Sequence, residues 1–316
     1  MALRNSIFAV SGKASFMDAR RDMSGLFVCD KTTMLPIAGI LDRSQDNLVT
    51  GNSNSMSVTV HPFNAVLNRY GALLIQNDGN VKVPLKAAPS ANSRIDVVYV
   101  KQHETRSPMS DDSDFPMFGV VQGVAAATPV APSVPDGALA LAQVLLPAGV
   151  SNTTMAGVVI MQTYVGAAMK GGMLRVQTSA QRDALTEVPE GTLLHNAADD
   201  CGYVRKGDKW RGWNMPWSDI HLGTNDVHMW ASDGVGYISL LTADINLTGW
   251  GSVENVGWVN NSAFRPVVGE GVYASTRDSY IPTMVSVRED GNVRLEYAGG
   301  QVGNRIVSSV FSYNIG

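Results

Sequence analysis

Histidine and carboxylate side chains lie close together in the segment HLGTNDVH, which places His221, Asp226 and His228 within eight residues. Imidazole nitrogens and carboxylate oxygens are ligands that zinc and iron accept in proteins. The spacing matches no standard helical or ribbon motif, and a functional centre would need a further ligand and supporting hydrogen-bond partners. The sequence therefore favours exposed or turn histidines, and we expect the chain to carry no metal and no cofactor.

A second polar segment, DDSD, holds Asp111, Asp112 and Asp114. Calcium prefers several oxygen ligands, so this segment is a candidate calcium site. It lacks the remaining ligands and the invariant glycine of an EF-hand loop, which favours a solvated acidic loop instead.

Groups for covalent or acid–base catalysis do not form a recognisable motif. His103 and Glu104 are adjacent in a polar segment, but no G-x-S-x-G motif or neighbouring nucleophile completes a triad. Carboxylates from which a glycosidase pair would be drawn are Glu270, Asp278, Asp290 and Glu296. The sequence does not place two of them at the separation that this chemistry requires, so we expect no catalytic activity.

Aromatic residues are a more suggestive set, because several fall in or beside predicted turns near the C-terminus. Aromatic faces bordered by Asn, Asp and Arg are good surfaces for sugars, although core packing is the alternative for any one tryptophan. Trp230 belongs to this set. The candidate ligand contacts are Trp250, Trp258, Tyr273, Arg277, Asp278 and Tyr280.

Short alternating apolar segments surround these residues and predict strands. The chain of 316 residues contains 31 Gly and 14 Pro, and turn residues separate most of its apolar runs, which favours an all-β fold. PTMVSVREDGNVRLEY predicts a β-hairpin with a tight turn at Asp290-Gly291. RIDVVYVKQ predicts a long central strand over residues 94–102. Short helices are predicted around Met17 to Met23 and after Thr178, with Gln181 at capping-box spacing.

Changes in composition divide the chain into three segments. We predict an N-terminal β-sandwich over residues 1–165, a connector with one short helix and small strands over 166–221, and a C-terminal β-sandwich or jelly-roll over 222–316. The connector prediction starts from the flexible run GAAMKGG.

The charge distribution, the apolar runs and the cysteine content narrow the possible partners and sites of the chain. The net charge is −4, and the excess lies in residues 221–316, which contain five Arg, no Lys and nine acidic residues. Such a distribution does not suit neutralisation of nucleic-acid phosphates, so we expect no nucleic-acid partner. No long apolar run or leader pattern occurs, so we expect neither membrane insertion nor a secretory signal. Cys29 and Cys201 are far apart and favour free buried thiols.

Three motifs, in order, resemble segments of tailed-bacteriophage baseplate and tail-fibre proteins. RIDVVYVKQ followed by GVVQGVAAATPVAPSVPDG and ALALAQVLLPAG is similar to their N-terminal domains. SAQRDALTEVPEGTLLHNAADDCGYVRKGDKW resembles a small module of tail fibres. FRPVVGEGVYAS and VSVREDGNVRLEY are similar to receptor-binding heads, and together the motifs cover most of the chain from Arg94 onward.

This resemblance implies a trimeric virion protein at the phage tail tip or baseplate, made in the host cytoplasm. Its N-terminal domain would bind other tail or baseplate proteins, and its C-terminal head would bind a host cell-surface glycan or protein. The acidic head disfavours a strongly polyanionic polymer as the receptor. Two alternatives stay open: a structural adaptor without receptor contact, and a cell-wall polysaccharide depolymerase.

Overall fold

The computed structural model describes residues 15–41, 47–222, 225–241, 245–247, 253–259, 261–275, 282–297, 303–305 and 308–315. The chain divides into two compact units, Met1–Thr192 and Leu193–Gly316. This division falls inside the segment 166–221 that the sequence predicts as a connector.

β-strands are the main regular secondary structure of both units, which confirms the all-β class. The first unit contains α1 (Phe16–Ser24), β1 (Gly39–Ile40), β2 (Val49–Gly51), β3 (Ser57–Val60), β4 (Phe63–Asn68), β5 (Ala72–Asn77), β6 (Val81–Pro84), β7 (Arg94–Gln102), β8 (Pro116–Val121), β9 (Leu139–Leu146), β10 (Val159–Gln162), β11 (Met173–Val176) and α2 (Ser179–Ala184).

The second unit contains β12 (Leu193–Asn196), β13 (Cys201–Lys206), β14 (Lys209–Leu222), β15 (Asn225–Ser232), β16 (Val235–Leu241), β17 (Ile245–Leu247), β18 (Val253–Trp258), a 3-10 turn (Ser262–Phe264), β19 (Glu270–Ser275), β20 (Pro282–Val287), β21 (Asn292–Tyr297), β22 (Gly303–Arg305) and β23 (Ser308–Asn314). No helix in the described ranges is long and apolar enough to span a membrane.

Both predicted helices are present, and side chains cap their first turns. The Ser15 hydroxyl accepts a hydrogen bond from the Asp18 backbone N–H, and the Asp18 carboxylate accepts one from the Ser15 N–H. Thr178 caps α2 by accepting from the Gln181 N–H at 3.2 Å. These bonds satisfy amide groups that have no partner inside a helix.

Antiparallel sheets of the first unit have the strand orders β1-β4-β5, β2-β3-β6 and β10-β9-β7-β8. The predicted central strand β7 lies between β8 and β9, and all three sheets contribute side chains to one hydrophobic core. The Asn77-Asp78-Gly79 turn joins two strands that do not pair with each other. β5 pairs with β4 and β6 pairs with β3, so this turn carries the chain from one sheet to another.

The R-I-D motif of β7 forms a buried ion pair inside the first unit. Arg94 and Asp96 are two residues apart and therefore lie on the same side of the strand, where the Arg94 Nε is 2.9 Å from an Asp96 carboxylate oxygen. The guanidinium also donates to the carbonyls of Lys86 and Ala87, and the carboxylate accepts from the Gly123 N–H at 3.0 Å. The pair thus holds two irregular segments against the strand.

Strands of the second unit form an antiparallel series in the order β12-β13-β14-β15-β16-β23. A register shift interrupts the pairing of β14 with β15 between Met215 and Ser218, and Pro216 lies at this shift. Proline has no N–H to donate to a neighbouring strand, so such an irregularity is where a long strand accommodates it. The order β18-β21-β20-β19 forms a separate four-stranded sheet.

The predicted hairpin is present, with β20 and β21 paired antiparallel, but its turn lies one residue earlier than expected. The Gly291 N–H donates to the Arg288 carbonyl at 2.8 Å, which makes Glu289 and Asp290 the central residues. Gly291 itself has a φ of 89°. A β-carbon added there would lie 2.6 Å from the Val259 carbonyl oxygen, so both its backbone conformation and its surroundings require glycine.

We predict that Gly291→Ala destabilises the protein more than Gly234→Ala does. Gly234 also has a positive φ, of 78°, but a β-carbon there meets no atom within 4 Å. Conformational strain alone costs about 1–2 kcal/mol, and the contact with Val259 adds to it at position 291. Thermal denaturation of both variants measures the difference, and equal melting temperatures would contradict the role of the Val259 contact.

Candidate functional site

A groove of about 540 Å³ lies on the sheet formed by β19, β20 and β21, and we call it the hairpin groove. Its lining combines charged, polar, small and apolar residues of three strands, one turn and the residue before β19. The lining residues are Gly269, Gly271, Met284, Ser286, Val287, Arg288, Glu289, Asp290 and Glu296.

Alternation along the two hairpin strands separates core residues from groove residues. Val285, Val287, Val293 and Leu295 are fully buried. Because successive side chains of a strand point to opposite faces, the intervening positions of β20 and β21 lie on the other face. Burial of the valines and leucine therefore positions the remaining hairpin side chains towards the groove.

Cross-strand pairing brings the groove residues of different strands together. Glu296 lies opposite Met284, and Ser286 lies opposite Gly271. Gly271 leaves the groove open, because a β-carbon there would come within 3.0 Å of the Ser286 side chain. At Gly269 a β-carbon would make only ordinary contacts, the nearest at 3.5 Å from the Val287 carbonyl oxygen.

The charges of the hairpin groove are three carboxylates and one guanidinium. Arg288, Glu289 and Asp290 lie at the turn, and Glu296 lies towards the other end of β21. The Asp290 carboxylate accepts a hydrogen bond from the Asn292 N–H at 2.9 Å. Within the described residues, Arg288, Glu289 and Glu296 form no ion pair, so their charges are available to a ligand.

A chain of hydrogen bonds that starts in β13 holds the segment on which the β20–β21 turn packs. The Tyr203 hydroxyl in β13 bonds Asp199 and Asn261, and the Asn261 side chain caps the 3-10 turn by accepting from the Ala263 N–H. The same segment continues to Arg265, whose Nε donates to the Val259 carbonyl. Burial raises the pKa of Tyr203, as does its bond to Asp199, so the hydroxyl keeps its proton and remains a donor.

Predicted contact residues are only partly within the described ranges. Trp250, Arg277, Asp278 and Tyr280 lie outside them. Trp258 ends β18 opposite Asn292 and is 39% exposed, which makes it a surface residue. The backbone of Tyr273 lies within β19, rather than in a turn, opposite Met284 of the groove.

The structure therefore places Trp258 and Tyr273 on the two edge strands of the sheet that carries the hairpin groove. Sequence reasoning did not select Ser286, Arg288 and Glu289 as site residues. The predicted hairpin was the signal for them. Its alternating apolar and polar residues imply that every second side chain lies on the outer face. Trp230, another residue of the aromatic set, instead stacks on Tyr237 of the neighbouring strand with ring centroids 5.1 Å apart.

The metal-ligand candidates of HLGTNDVH lie on the paired strands β14 and β15. His221 pairs in register with Asp226, and Asp219 pairs with His228, but the side chains of the first three lie outside the described part. Among residues with described side chains, no group of three or more His, Cys, Asp or Glu is placed to hold a metal ion.

The acidic segment at Asp111 is held by charges rather than fully solvated. The Asp111 carboxylate bonds Arg69 and is 2.8 Å from the Lys101 ammonium group, while Arg20 and Arg69 both contact Glu104. Burial opposes ionisation of Asp111, but hydrogen bonds from Arg69 and Lys101 hold its pKa well below the usual range. The expectation of a solvated loop fits Asp112, which is 87% exposed, and is wrong for Asp111.

Both cysteines are free and buried, as predicted. Burial, together with the nearby Asp199, raises the pKa of the Cys201 thiol to about 12. Since the thiolate is the reactive form, this side chain is chemically inert at neutral pH.

Comparison with known proteins adds no assignment, because neither a scan against protein-family models nor a search of curated proteins finds a match to this chain.

We predict that Asp111→Asn lowers the free energy of unfolding by about 1–3 kcal/mol at pH 7, because it removes a buried partner of two cations. The folded-state pKa of Asp111 is depressed, so its contribution is complete above the unfolded value near 3.9 and is lost as the pH falls below it. Denaturant titrations from pH 7 to pH 3 should therefore show the difference from wild type shrinking.

Asp112→Asn is the matched control, since it removes the same charge from the same loop at an exposed position. Exposed pairs contribute little, so this variant should unfold like the wild type. A loss of stability that is equal in the two variants would show that the Asp111 contacts do not stabilise the fold.

Proposed function

We propose that this chain is a virion protein of a tailed bacteriophage that attaches the particle to a host cell surface without catalysis. The observation that carries the proposal is the hairpin groove, a concave surface with charged side chains that form no ion pair among the described residues. In this proposal the second unit is the receptor-binding head, and the first unit anchors the protein to other tail or baseplate proteins.

Groove size and chemistry support binding of a host glycan or a protein segment. Its volume falls within the range of about 300–1,000 Å³ that is typical of ligand sites. Carboxylates accept hydrogen bonds from sugar hydroxyls, and the guanidinium donates them. The turn that carries Arg288, Glu289 and Asp290 is held on a rigid sheet, an arrangement that suits recognition by a surface loop.

The resemblance of the motifs to tail proteins supports the proposed location of the chain. The R-I-D motif has a structural reason, because Arg94 and Asp96 form a buried pair that fixes two flanking segments. A single core shared by the sheets of the first unit supports the proposed β-sandwich for the anchoring domain. A jelly-roll or sandwich head is proposed for the second unit.

Carboxylate spacing favours binding over polysaccharide cleavage. Asp290 and Glu296 both line the groove, but the strand from Asn292 to Glu296 alone covers roughly 13 Å. Glycosidases hold their two carboxyl groups about 5–9.5 Å apart on either side of the scissile bond. Incubation with host cell-wall polysaccharide should therefore release no reducing ends, whereas a depolymerase would release them.

We predict a homotrimer, in line with the resemblance and with the exposed edge strands that a closed threefold assembly would cover. Light scattering should give about three times the chain mass of 33.7 kDa. A stable monomer at micromolar concentration would contradict this prediction. Threefold repetition would also supply avidity to weak individual sites.

We predict that Gly269→Leu weakens attachment at least ten-fold without lowering the melting temperature. A β-carbon at this lining position makes only ordinary van der Waals contacts, so the larger side chain is expected to narrow the groove rather than disturb the fold. Binding of the fluorescently labelled trimer to a panel of bacteria identifies strains that bind wild type, and those strains then measure the variant.

Gly79→Leu is the control, because Gly79 also has open space around its β-carbon position but belongs to the first unit. It should bind cells like wild type. If no strain binds the wild type, a structural adaptor is the better assignment. If Gly269→Leu binds normally, the receptor site lies elsewhere on the protein.

A further inference from the structure

We infer that the hairpin groove selects a saccharide that carries a protonated amino group. This inference rests on the proposed function and names the chemistry of its receptor. It follows from three features of the groove: its charge balance, the environment of Glu296, and the glycines of its lining.

Charge balance is the first feature. The groove presents the carboxylates of Glu289, Asp290 and Glu296 against the single guanidinium of Arg288. A ligand with a positive charge gains from this excess, and an anionic polymer is repelled by it. The wider segment 221–316 has no lysine, so no flexible ammonium group from its own sequence competes for these carboxylates.

Glu296 is the second feature, because it is the carboxylate of the groove that is half-buried. Glu296 lies opposite Met284 of the neighbouring strand, and this apolar residue excludes part of the water around the Glu296 carboxylate. Arg294 lies two residues earlier on the same face of β21, but no described residue forms an ion pair with Glu296. A partly desolvated carboxylate without a counter-ion gains more from an incoming ammonium group than a fully hydrated one does.

The third feature distinguishes a sugar from a lysine side chain of a protein. Gly269 and Gly271 contribute no side chains to the groove, so a broad ring can approach the backbone there. Ser286 and Arg288 are available to bond hydroxyl groups around such a ring. A lysine side chain would need only a narrow channel and would leave these polar groups without ligand partners.

The test compares two probes with the same sugar backbone that differ at the amino group: short β-1,4-linked glucosamine oligomers, which are cationic, and the same oligomers fully N-acetylated, which are neutral. Calorimetry with the purified protein should show about ten-fold tighter binding of the amine form. Glu296→Gln keeps the shape of the side chain and should remove this preference. Asp208→Asn is the control, because it removes one exposed charge of the same unit outside the groove and should preserve the preference.

Equal affinity for the two probes, absence of binding to both, or a preference that survives in Glu296→Gln would overturn this inference. The proposed function has a separate readout, since it fails if the wild-type protein binds no cells. Normal cell attachment of Gly269→Leu would instead place the receptor site outside the hairpin groove and would overturn this inference. Loss of cell attachment after protease treatment of the cells, with neither oligomer bound, would identify a protein receptor and would also overturn the amino-sugar assignment.

Discussion

The two-residue period of the β20–β21 hairpin is the constraint on which the candidate site depends. Each strand must bury one face, and four fully buried aliphatic side chains occupy that face. Any shift of register by one residue would move these side chains to the surface and the groove residues to the core, at a cost of several kcal/mol. Charged residues therefore have a fixed place on the outer face, although none of them contributes to the core.

The turn that closes this hairpin is held by contacts from distant parts of the second unit. Gly291 fits against Val259 and Arg265, and the segment between those residues is fixed by Asn261 and Tyr203. The position of Arg288, Glu289 and Asp290 thus depends on a polar cluster that is not part of the groove. Substitutions in that cluster would therefore shift the turn without touching the groove residues.

The first unit uses buried charge in a different way. Arg94 and Asp96 satisfy each other and three backbone groups, and a second cluster joins Arg20 and Arg69 to Glu104 and Asp111. Removing one member of the Arg94–Asp96 pair leaves a buried charge and costs about 3–5 kcal/mol. These charges serve the architecture of the unit, whereas those of the hairpin groove form no ion pair among the described residues and suit a ligand.

The sequence by itself determined the all-β class, the two short helices, the central strand β7 and the existence of the β20–β21 hairpin, because these follow from local periodicity and capping residues. It did not determine that Asn77-Asp78-Gly79 joins two sheets, or that Asp111 is held by Arg69 and Lys101. Likewise it did not place Glu296 beside Met284 in a groove. These are contacts between residues far apart in the chain or between strands. Only tertiary packing decides them, because local propensity is the same whichever strand becomes the neighbour.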